Sequence, residues 1–192
     1  MAINDAAVVT PARGYIFTAA VGTAAPTPAE VEAYTPGGTL TGWVDVGHTS
    51  RDELPEFGSD GGDREVRGTW QNESLKSVVT EVPVDYVSFR LHQADEQSLA
   101  MYYGVANSSA TVGMFSVADM SVSSTEKALT IIIIDGTTHL GFHATRTSIS
   151  RDDAIGMEID GFMEFPVRAT ILKNSTDPLF SWIGLDTGVN PS

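Results

Sequence analysis

His139 and His143 stand four residues apart, the spacing at which two imidazoles on one helix face can share a zinc ion. The residues around them alternate as in a strand. That puts both rings on one face but about 13 Å apart along it, too far for one metal. They are therefore expected on a solvated or interface face, and His48 and His92, both isolated, on the surface. Asp52-Glu53 and Asp152-Asp153 are adjacent carboxylates of the kind general acid–base catalysis uses. Such work needs a dry pocket that tunes one pKa, and no segment promises one, so they read as solvated loop charge. Asp60-Gly61-Gly62-Asp63 spaces two acids like cation ligands but lacks the alternating pattern of a calcium loop, and reads as a turn. There is no Gly-x-Ser-x-Gly elbow, phosphate-binding loop or dinucleotide fingerprint. Without cysteine the chain has no disulfides, thiolate zinc sites or sulfur nucleophiles. The expectation is a protein with no catalytic residue, no cofactor and no metal. Trp43, Trp70 and Trp182 could line a sugar site but read as core or interface anchors.

The elements that would carry these residues are mostly strands. At 192 residues, 42% hydrophobic and 19% charged, the chain reads as one mainly β domain over 1–192. A net charge of −14 sets it against the nucleic-acid backbone. No basic leader opens it and its longest aliphatic run is 131–134, so a soluble protein made in a cytoplasm is expected. Residues 1–13 read as an arm and 14–20 as a strand. Thr27-Pro28-Ala29-Glu30 is a capping box opening a very short helix, and 40–46 is a strand anchored by Trp43. An acidic loop follows over 45–65. It carries Asp45, Asp52, Glu53, Glu56, Asp60, Asp63 and Glu65 against only Arg51 and Arg64. A loop of roughly twenty residues inside a compact domain has a task or is disordered. Here Leu54, Pro55 and Phe57 interrupt the polar run, which calls for an apolar partner surface, expected on another copy of the chain.

Glu65, Arg67, Thr69 and Gln71 then alternate with Val66, Gly68 and Trp70, as a half-exposed strand does. Strands are expected over 75–82 and 84–93. A helix is expected over about 95–103, with Asp95 as N-cap and Gly104 just past its end. Further on, 111–117 and 121–124 are candidate short strands. Residues 128–134 and 137–145 form a hairpin about Asp135-Gly136, read as a type I′ turn, with 131–134 covered on both faces. Residues 147–153 read as strand or loop. Residues 157–172 read as a strand with Glu158, Asp160 and Glu164 on one face and Pro166 marking an edge or break. Residues 173–192 read as a tail with Phe180 and Trp182.

Residues 42–104 resemble the major tail (tail tube) proteins of long, non-contractile-tailed bacteriophages, particularly those infecting actinobacteria. The resemblance is carried by Gly42-Trp43 with Asp45-Val46-Gly47-His48-Thr49, by 64–71 ending in Thr69-Trp70-Gln71, and by 84–91 with the capped helix after it. It extends more weakly to about Leu172. It implies a β-sandwich or barrel-like fold with one flanking helix and a long β-hairpin or stacking loop; the C-terminal immunoglobulin-like domain of some relatives is not expected here. It also implies hexameric rings stacked into a tube in the virion tail, assembled in the host cytoplasm. By the same resemblance 48–64 is the ring-stacking loop (Arg51, Asp52, Glu53, Leu54, Phe57, Asp60 and Asp63), and the arms 1–13 and 173–192 bridge subunits. The lumen would be lined by Glu65, Arg67, Thr69 and Gln71, or by Glu158, Asp160 and Glu164. Partners would be the chain itself, a tape-measure protein and a tail terminator. DNA would pass a negatively lined bore without specific binding, repelled over the roughly 8 Å that charge reaches in physiological salt. The rival readings are a head–tail connector or tail terminator ring and a carbohydrate- or partner-binding β-sandwich.

Overall fold

The computed structural model describes residues 3, 7–119 and 124–184. The candidate strand 121–124 and the ends of both arms fall mainly outside them.

The fold is mainly β, with antiparallel sheets consistent with the sandwich-type fold that the resemblance implies. Strands β1 (Arg13–Ala19), β2 (Val44–Asp45), β3 (Glu56–Asp60), β6 (Val84–Leu91), β7 (Thr125–Asp135), β8 (Thr138–Arg151), β9 (Phe165–Ile171) and β10 (Ser181–Ile183) make one sheet. Its order is β2-β1-β7-β8-β9-β6-β3, with β10 on the half of β8 that β9 does not reach. Strands β4 (Arg64–Thr69) and β5 (Asn72–Val79) form a separate two-stranded sheet.

The large sheet curls until its ends meet. The Val46 amide donates to Ile16 on β1 (3.0 Å), while Thr49 bridges Leu91 and the Ser50 amide donates to Arg90 (3.0 Å) on β6. A single crossing segment thus laces opposite edges together, which removes most of the open edge. This segment takes the place of the strand expected over 40–46, of which only Val44–Asp45 is regular.

Ile131–Ile134 shows why the chain curls rather than lying flat. Ile131 faces one core with Phe89, Leu91, Phe142, Phe165 and Val167, while Ile132 and Ile134 face a second with Phe17, Val31, Tyr34 and Leu40. A strand apolar on both faces must be covered twice. Helix α1 (Pro28–Ala33) covers the second face, its Thr27–Glu30 capping box closed as the sequence requires. The curled β6–β9 side and helix α2 (Glu96–Tyr103) cover the first, with Met101 and Tyr102 buried there. Asp95 caps α2 by accepting from the Ser98 amide (2.8 Å), and Gly104 ends it at φ 67°. Two helices flank the sheet, both at places the residues marked, where the resemblance implied one.

Other boundaries differ. Residues 111–117 are not a strand. The β7–β8 turn is centred on Gly136-Thr137, since Asp135 pairs with Thr138. Gly136 has φ 59° and Thr137 is not left-handed, so the dihedral pattern is that of a type II′ turn, with glycine first. Residues 156–164 form a loop pinched by the Gly156–Glu164 bridge, not the first half of a strand. Pro166 lies near the start of β9 between β6 and β8, so its position is neither edge nor break. Among the described residues no helix is long and apolar enough to cross a membrane.

Candidate assembly surfaces

The stretch 48–64 is largely built into the sheet. Glu56–Asp60 is strand β3, paired with β6 from Glu56↔Ser88 to Asp60↔Val84. The Phe57 ring packs against Phe142 (4.8 Å between centroids) and Trp182 (5.1 Å) of its own chain. Asp60 binds Arg168, whose guanidinium also sits 3.5 Å from the Tyr86 ring centroid. Only 51–55 stands out as a short excursion, and Glu53 ties it down through Arg90 (2.6 Å). Arg51, Asp52 and Leu54 are exposed there. The apolar character of Leu54, Pro55 and Phe57 is met partly at home. They line a cleft of about 880 Å³ with Tyr15, Ile131 and Ile133, beside the half of β1 that β2 does not pair.

The element that does project begins where the expected loop ends. The Gly62 amide donates to Glu81 (3.1 Å) and the Thr80 amide to Asp63 (2.9 Å), so β3–β4 and β5–β6 run on as one long hairpin. Gly61 and Gly62, at φ 75° and 81°, supply the bend between its halves. Beyond the bend β4 and β5 pair only with each other. Every residue of β4 is exposed, as is every residue of β5 except Val78. Residues paired across a ladder share a face and neighbours along a strand alternate. One face therefore carries Arg64, Val66, Leu75, Ser77 and Val79, and the other Glu65, Arg67, Lys76 and Val78. Val66, Leu75 and Val79 are 59%, 59% and 50% exposed, and Trp70 at the tip is 99% exposed. An isolated two-stranded ribbon is marginal in water. This one leaves an apolar face uncovered.

The candidate lumen residues divide accordingly. Glu65 and Arg67 share a face and pair at 3.2 Å, so their charges cancel locally. A register shift between Arg67 and Thr69 breaks the alternation, and Gln71 lies in the turn. The expected four-residue polar face is interrupted. Glu158 and Asp160 are exposed on the 156–164 loop, while Glu164 turns inward to Arg90 (2.9 Å) and His92 (3.8 Å). That loop also exposes Met157, Ile159 and Phe162, at 73%, 102% and 78%.

Two histidines are not where the sequence suggested. His143 is 2% exposed, with Nδ1 3.0 Å from the Thr130 hydroxyl and the Trp43 ring edge-on at 5.5 Å. His92 is largely covered, against Phe162 and Glu164. The strand pattern placed His143 on a face but could not reveal that Trp43 packs on its ring and Ser181 pairs beside it. Burial pushes its pKa down to about 4, partly countered by Asp177. The folded state thus holds it neutral, while the unfolded chain takes up a proton near pH 6.5. Stability tied to this residue is present above pH 6.5 and is lost as pH falls toward 4. The urea midpoint of His143→Gln should consequently fall less than that of the parent between pH 7 and about 4.5.

The C-terminal segment is also partly folded back. Ser181–Ile183 pairs with β8, and Trp182 packs on Phe142 (5.2 Å), so residues 181–183 serve the subunit itself. Sequence reasoning missed β10. The aromatic pair Phe180 and Trp182 was its signal.

Among the described residues no group of histidines and carboxylates is arranged to hold a metal ion. What the surface offers is apolar side chains on projecting elements. The profile of the family described as phage tail tube protein matches residues 1–192. The chain is 48% identical over 197 residues to the major tail protein Gp23 of Mycobacterium phage D29, covering 100% of this chain and 98% of that protein. It is 48% identical over 194 residues to the major tail protein Gp23 of Mycobacterium phage L5, covering 97% and 95%. A projecting ribbon with an uncovered apolar face, on a curled antiparallel sheet, is thus found in a chain that belongs to the phage tail tube protein family.

Proposed function

We propose that copies of this chain close into hexameric rings that stack around a bore through which the genome leaves the particle. As a family member the chain is a structural component of the virion tail, and the family implies assembly with itself and with other tail components. The rings, the bore and the absence of catalysis are our reading. One observation carries it: the β4–β5 ribbon, exposed on both faces with Trp70 at its tip, is a poor free structure and a good interface. Heterologous contacts close into rings when the rotation closes and run on as tubes when it does not. Arms at 1–13 and 173–192 would add bridges, and a tape-measure protein and a tail terminator would set the tube's length and end.

The charge supports passage without adhesion. At −14 per copy a ring is strongly acidic, and DNA sliding past such a wall is repelled. Because Glu65 is paired with Arg67, the acidity of the bore must come largely from other carboxylates. Electron microscopy of the assembled protein tests the reading. End-on views should show six-fold rings with an open centre and side views stacked rings. Monodisperse single subunits that never assemble, even with tail partners supplied, would refute it.

A further inference from the structure

The ribbon and the 156–164 loop sit at opposite ends of one strand. The ribbon leaves the sheet at Val84, where β6 begins. The loop enters at Phe165, paired with Leu91 where β6 ends. The eight residues of β6 separate the two by about 25 Å. Two different surfaces at opposite poles are what a head-to-tail contact needs.

The two poles are complementary in charge and in apolar character. Residues 64–79 hold Arg64, Arg67 and Lys76 against Glu65 and Glu73, a net +1 in a chain of net −14. Residues 156–164 hold Glu158, Asp160 and Glu164 and no base. Among the described residues Arg64 and Lys76 make no ion pair within the chain, and neither do Glu158 and Asp160. Each pole adds exposed apolar side chains: Val66 and Leu75 on the ribbon, Ile159 and Phe162 on the loop. We propose that the axial contact between rings seats the β4–β5 ribbon of one copy on the 156–164 loop of the next. Val66 and Leu75 cover Ile159 and Phe162, and Arg64, on the same ribbon face, meets Glu158 and Asp160. This rests on the tube reading and moves the stacking role from 48–64 to the ribbon. Apolar contact supplies adhesion, while opposite charge selects the pole and disfavours loop-to-loop pairing.

The chain has no cysteine, so an introduced pair reports only itself. Tubes assembled from the L75C/I159C variant and oxidised should give a ladder of covalent oligomers on a non-reducing gel, collapsing to one band on reduction. Neither single variant should give a ladder. Intact tubes that yield only monomer would overturn the docking and leave the tube reading standing. If the double variant does not assemble, charge exchange decides. R64E should lower tube yield at least tenfold, and adding E158K/D160K to the same chain should restore most of it. Full assembly of R64E, or no restoration by the exchange, would overturn the docking. A parent chain that forms no ring or tube beside its tail partners would instead overturn the reading beneath it.

Discussion

Excision of residues 64–79, with Asp63 joined to Thr80 through a two-residue turn, should leave a folded subunit that cannot form tubes. The Thr80 amide already donates to Asp63 at 2.9 Å, so the cut ends face each other across the ladder and a tight turn closes them. The excised strands pair only with each other, and neither core contains any of their residues. The thermal midpoint should therefore move by no more than about 4 °C, the shift expected for roughly 1 kcal/mol in a domain of this size. Tube yield should fall by about 100-fold or more, because the uncovered apolar face and the bases of the ribbon leave with it. The matching excision of 51–60 should do the reverse. It removes β3, bares the β6 edge and strips Phe57 from Phe142 and Trp182, at a cost of roughly 3 kcal/mol or more. A subunit that loses its fold with the ribbon, or keeps it without β3, would show that the division between body and ribbon is misplaced.

That division was only half legible in the sequence. Local signals served well where the physics is local. Thr27 through Glu30 announced a capping box, Asp95 and Gly104 bracketed a helix, and the 131–134 run announced a strand covered on both sides. Each of these depends on residues within a few positions of one another. The acidic stretch after Trp43 depends on distant ones. Nothing within 48–64 says that Asp60 will meet Arg168 or that Phe57 will meet Phe142, so charge and loop-like composition suggested a free excursion. The projecting role belongs to the next segment. Its alternation of Glu65 and Arg67 with Val66 marked it as a strand with one polar face, without showing that the other face lacks a partner.

The acids at 157–164 failed for a related reason. Period-2 alternation of Glu158, Asp160 and Glu164 is the signature of a strand, yet Gly156 pairs with Glu164 and throws the residues between them into a loop. The same alternation was right from Phe165 onward, where β6 and β8 flank the segment on both sides. His143 followed the same rule. Its strand was legible, but its burial against Trp43 and Thr130 was a tertiary fact.

In the proposed assembly residues 64–79 gain their cover only when copies come together. Amide hydrogen exchange of those residues in the dispersed subunit and in the assembled tube measures this directly. In the free subunit a lone ribbon should open readily and exchange far faster than β7 and β8. In the tube its protection should rise toward that of the sheet, by about 100-fold or more, while β7 and β8 change little. Equal exchange of 64–79 in both states, with tubes present, would contradict the account.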